Sequence, residues 1–117
     1  MKKHSRLLAA SFAAALLTAC AGSLQGDLYQ SIYGAQATLA ASELVAKQYV
    51  EGDFGKPDAS VVSGIKSADQ VAYNALHPLV LDAQAGQSVT TIEVTEAQKY
   101  VGAFYTYLAN HNIGGVK

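Results

Sequence analysis

Val61, Ile65, Ala68, Ala72, Leu76, Leu79 and Ala83 recur at intervals of three and four residues. That spacing places apolar side chains on one face of an α-helix. Two shorter stripes of the same period flank it: Leu28, Ile32, Ala35, Leu39, Ala46 and Val50 before, and Val94, Ala97, Val101, Phe104 and Leu108 after. No helix that is apolar on one side is stable alone, so three such stripes must cover one another. The breaks between them, Gly52-Asp53-Phe54-Gly55-Lys56 and Gly86 to Thr90, are about five residues each. Connections that short make successive helices antiparallel neighbours. The expected fold is all-α, an antiparallel up-down-up three-helix bundle over residues 27–111, with residues 112–117 frayed.

Local signals set the expected boundaries. Asp27 suits the N-cap of a first helix ending near Glu51. Pro57 suits the first turn of a second helix, which spans about Asp58 to Ala85 and stops at Gly86. Pro78 lies inside that helix and removes one backbone donor, so a kink, or two shorter helices meeting near His77, is expected. Thr90-Thr91-Ile92-Glu93 matches a capping box and opens a third helix running to about Asn110. Glu43 and Lys47 stand four apart in the favourable order for an ion pair. Gly34, Ala37 and Ala41, then Gly64, Ala68, Ala72 and Ala75, then Gly102 and Ala109 form small-residue faces. Such faces let helices approach closely and leave little interior room for haem or another large cofactor.

The N-terminal region has a different character. Lys2, Lys3 and Arg6 precede Leu7 to Leu17, which is apolar or small except for Ser11. A run of that length is too short for a hydrocarbon core, which needs about 20 residues. Its order of charge and apolarity fits a cleaved export signal. Leu17-Thr18-Ala19-Cys20 closes it, and these residues resemble the lipobox of bacterial lipoprotein precursors. The resemblance covers roughly the first twenty residues. It implies cleavage between Ala19 and Cys20, so that residues 1–19 form the signal, and acylation of Cys20. Two or more acyl chains, at about 0.8 kcal/mol per buried methylene, give a stable membrane anchor. Ala21 in place of an acidic residue favours, by the family's sorting rule, the periplasmic face of the outer membrane over the inner membrane. Residues 20–26 are expected to be the acylated cysteine and a flexible tether.

Cys20 is the only cysteine, so no internal disulfide is available. Three of the eight basic residues lie in the first 19 positions and all nine acids lie after them, which leaves a mature chain of formal charge −4. An acidic surface without arginine disfavours nucleic acid and anionic lipid as partners. The membrane is expected to be reached through the lipid on Cys20.

Candidates for chemistry are few. His77 and His111 have no histidine, cysteine or acid at the helical spacings that chelating pairs use, so no metal ligand is assigned. Ser63-Gly64-Ile65-Lys66 matches Ser-x-x-Lys, but neither Ser-Asp-Asn nor Lys-Thr-Gly accompanies it. Glu51, Asp53 and Asp58 flank the first turn without the spacing of a calcium loop. Seven tyrosines and no tryptophan are the unusual enrichment. Tyr29, Tyr33, Tyr100 and Tyr107 are the candidate surface for a protein partner or self-association, since tyrosine joins an apolar ring to a polar tip. The sequence therefore points to a non-enzymatic, lipid-anchored envelope protein without cofactor, working through protein contacts. A small-ligand or metal-binding helical module and a lysis or toxin-like protein stay open as alternatives.

Overall fold

The computed structural model describes the backbone over residues 2–114 and the side chains over 24–114. The signal segment and Cys20 fall outside the residues with described side chains. Three helices make up the fold: α1 (Lys2–Val50), α2 (Ala59–Gln84) and α3 (Thr91–Asn110). The described residues contain no strand. The chain is an all-α three-helix bundle.

The groups that α1 and α2 share show how they run. Gln36 to Glu43 face Tyr73 to Val80, and Ala46 to Glu51 face Ile65 and Asp69. One helix ascends as the other descends. Along α1 and α3 the order is the same in both, with Ser31 to Thr38 facing Gln98 to Gly102 and Ala41 to Val45 facing Tyr105.

The predicted stripes form the core. All five of the α3 positions are buried, as are Leu28, Ile32, Ala35, Leu39 and Ala46 of α1. Phe104, Ile32, Leu76, Leu108 and Ile113 are the largest fully buried side chains, each contributing roughly 1.5–3 kcal/mol of hydrophobic stabilisation. Val50 departs from its stripe and is exposed, because α1 ends there and the chain turns away. Ser42 fills the register position between Leu39 and Ala46 and is buried.

Each helix stops in the same way. Gly52, Gly86 and Asn112 all take positive φ just past a helix end. The N–H of Gly52 donates to Tyr49 and that of Asp53 to Gln48; Gly86 donates to Ala83 and Gln87 to Asp82; Asn112 donates to Ala109 and Ile113 to Leu108. Paired bonds of this kind are Schellman motifs, which satisfy carbonyls that the helix leaves orphaned. The third one corrects the expected fraying over residues 112–114; residues 115–117 lie outside the described residues. Ile113 is 2% exposed, carried back into the core by the turn at Asn112.

Helix starts differ from expectation at two points. Asp27 lies inside α1 and caps nothing. Gln25 makes a two-way contact with the loop before α3, donating from Nε2 to the Val89 carbonyl (3.0 Å) and accepting at Oε1 from the Val89 N–H (3.1 Å). That pairing, with Val89 buried, fixes the helix ahead of Asp27, so residues 24–26 are helical and not a flexible tether. Pro57 precedes the N-cap of α2, which is Asp58; its carboxylate accepts from the N–H groups of Ser60 (2.8 Å) and Val61 (3.3 Å). Helix α2 continues unbroken through Pro78, which excludes two shorter helices. At the start of α3 the Thr90 hydroxyl accepts from the Glu93 N–H (3.2 Å) and donates to the Glu93 carboxylate (2.7 Å).

The small-residue faces divide: on α2 Ala72 is buried and Ala68 and Ala75 pack against the core, while those of α1 and Gly102 of α3 do not. Gly34, Ala37, Ala41 and Gly102 are exposed, and a Cβ added to Gly34 or Gly102 would meet no atom within 4 Å. Helix α1 packs inward through Leu28, Ile32, Ala35, Leu39, Ser42 and Ala46 instead, so these exposed positions do not set the spacing. Gly64 alone among the helical glycines has a ring lying against it, that of Tyr107.

Candidate functional site

Polar and aromatic side chains come together in the groove between α1 and α2. Two hollows follow one another along it. One, of about 150 Å³, has Gln36, Leu39, Ala40 and Glu43 on the α1 side and Tyr73, Leu76, His77 and Val80 on the α2 side. The next, of about 380 Å³, has Glu43, Ala46, Lys47, Val50 and Glu51 facing Ile65 and Asp69, with Phe104 of α3 at its base. Glu43 belongs to both and stands at the neck between them.

Helical spacing builds the α2 wall. Asp69, Tyr73 and His77 are successive i,i+4 neighbours and so share one edge. The Tyr73 and His77 rings stack with centroids 4.8 Å apart and planes 13° from parallel. On the α1 wall, Lys47 pairs with Glu51 (3.8 Å), not with Glu43 as its sequence position suggests. Glu43 instead faces Asp69. Burial, then the neighbouring Asp69 charge, then a hydrogen bond to Asp69 raise the Glu43 carboxyl above the ordinary carboxylate range. One Asp69 oxygen, Oδ1, is buried without an N–H or hydroxyl partner.

Large exposed side chains flank this groove. Leu44 is 60% exposed, Leu81 51% and Tyr73 44%. Leu44 lies one turn beyond Ala40 on α1, and Leu81 one turn beyond His77 on α2.

Of the tyrosines singled out from sequence, Tyr29, Tyr100 and Tyr107 pack their rings on the core. Tyr29 donates its hydroxyl to the Gln87 carbonyl, and Tyr107 donates to the Val61 carbonyl (3.3 Å). Tyr49 accepts from the Asp58 N–H (2.9 Å). Their rings pack on the core, and so does Tyr100, whose hydroxyl points to Glu96 at 3.5 Å. These residues fasten loops and helix ends to the bundle. Tyr33 stays exposed.

The remaining candidates are dispersed. His77 is on the groove edge, whereas His111 is the C-cap of α3 with its ring 4.4 Å from that of Tyr107. Asp58 caps α2, Glu51 pairs with Lys47, and Asp53 is an exposed turn residue. Ser63 and Lys66 are exposed on α2. Among the described residues no group of three or more His, Cys, Asp or Glu is placed to hold a metal ion, and no helix is long and apolar enough to cross a membrane. No family model matches the chain, and no curated protein or solved structure shows significant similarity to it.

Proposed function

We propose that the chain is a lipid-anchored protein of the bacterial envelope, held by acylated Cys20 at the periplasmic face of the outer membrane. It acts without chemistry of its own, by contact with another envelope protein through the α1–α2 groove. The observation that carries the contact is the exposure of Leu44, Tyr73 and Leu81 along the two sides of that groove. Apolar side chains left in water beside a concave surface are the usual mark of a site that a partner covers. The lipobox-like Leu17-Thr18-Ala19-Cys20 supports the anchor. The helix that continues through residues 24–26 supports a bundle standing close to the lipid, because a helix rises only about 1.5 Å per residue.

The test is photocrosslinking in cells from single positions. A crosslinking amino acid at Tyr73 or Leu44 should capture a discrete envelope protein, while the same group at Ile92, exposed on α3, should not. Equal capture from all three positions, or none from the groove, would remove the groove from the account.

A further inference from the structure

Glu43 and Asp69 bring two carboxyls together across the α1–α2 contact, where two carboxylates would repel. Like charges at such range oppose one another more strongly when partly withdrawn from water. Among the described residues neither carboxyl forms an ion pair with a cation. Lys47, on the same hollow, is 3.8 Å from Glu51. Phe104, the residue that α3 contributes there, is apolar. On the far side of Glu43, His77 and Tyr73 line the other hollow and stack on one another. Asp69 Oδ1 is buried without a donor, yet a buried acceptor is normally satisfied. Glu43 can meet that need only when its carboxyl carries a proton.

We propose that Glu43 and Asp69 form a proton-dependent latch between α1 and α2, in which protonated Glu43 donates to the Asp69 carboxylate. Proton loss from Glu43 replaces that hydrogen bond by two facing negative charges and weakens the contact at the neck of the groove. The raised affinity of Glu43 for its proton fixes the sign. A carboxyl that holds its proton more tightly in the folded chain favours the fold below the ordinary value of 4.5, and that contribution is lost as pH rises through the folded value. The latch requires no partner in the groove and no acyl chain.

The purified full chain in detergent provides the test. Carboxyl-carbon NMR titration should show Glu43 losing its proton above 4.5, and Asp69→Asn should bring it back toward that value. Glu43→Gln supplies an amide donor at every pH. Its melting temperature should match the unsubstituted chain near pH 4 and exceed it by roughly 4 °C near pH 7. Titration of Glu43 at or below its ordinary value would overturn the latch. So would a Glu43→Gln difference that stays constant with pH. If either variant fails to fold, the titration of the unsubstituted chain decides.

Discussion

The ring of Tyr107 lies where a side chain at Gly64 would have to go, and its hydroxyl donates to the Val61 carbonyl one turn below. The contact joins α3 to the first turns of α2, next to the Asp58 cap. Gly64 is thus a packing position, and a methyl group there must displace the ring and break its hydrogen bond. Gly64→Ala should destabilise the bundle by about 1–2 kcal/mol, because overpacking and the lost bond outweigh the better helix propensity of alanine. Chemical denaturation of the two proteins measures the difference.

Gly34 and Gly102 carry the opposite expectation. Both sit inside helices with open space where a Cβ would stand. Gly34→Ala and Gly102→Ala should each stabilise the bundle by roughly 0.5–1 kcal/mol, the cost that glycine imposes on a helix interior. Thermal melts of the single and double variants check both the sign and the additivity.

The C-terminal turn makes a third. Ile113 lies beyond the last helix and is 2% exposed, held by the bond from its N–H to Leu108 (3.0 Å). Ile113→Ala should cost about 2–4 kcal/mol, as for a core isoleucine within a helix. A loss below ~0.5 kcal/mol, the range of a surface change, would mean that the turn does not seat the side chain.

Which of these features could be seen in the sequence follows from how local each one is. The apolar stripes, the stops at Gly52 and Gly86 and the cap at Thr90 depend on residues within a turn of one another, so spacing reveals them. Asn112 hides its role because asparagine is an ordinary loop residue and needs Ile113 to have somewhere to go. Gln25 hides for a similar reason, since its partner Val89 is 64 residues away. The groove was the least legible part. Glu43 has Lys47 four residues ahead and reads as half of an ion pair, whereas tertiary packing turns it toward Asp69 and leaves Lys47 to Glu51. The bonds of Tyr29, Tyr49 and Tyr107 are hidden for the same reason: their hydroxyls meet backbone groups that only the folded loops and helix ends present.

Asp58 gives the chain a pH response opposite to that of Glu43. The hydroxyl of Ser60, then the N–H groups of Ser60 and Val61, hold its carboxyl below the ordinary value of 3.8. A carboxyl that binds its proton less readily when folded adds stability above 3.8 and loses it as pH falls through the folded value. Asp58→Ala should therefore lower the melting temperature near pH 6 and make little difference near pH 2, where the cap is protonated in either state. Melting curves across that range measure both ends, and a constant offset would contradict the assignment.

The account rests on Cys20 more than on any other residue, and acyl labelling tests it most directly. Cells given a labelled fatty acid should yield a labelled protein that begins at residue 20 and sediments with the membranes. Cys20→Ser should abolish the label and leave the precursor uncut. Label retained in Cys20→Ser, or an unlabelled and uncut chain from the unsubstituted sequence, would contradict a lipid-anchored protein.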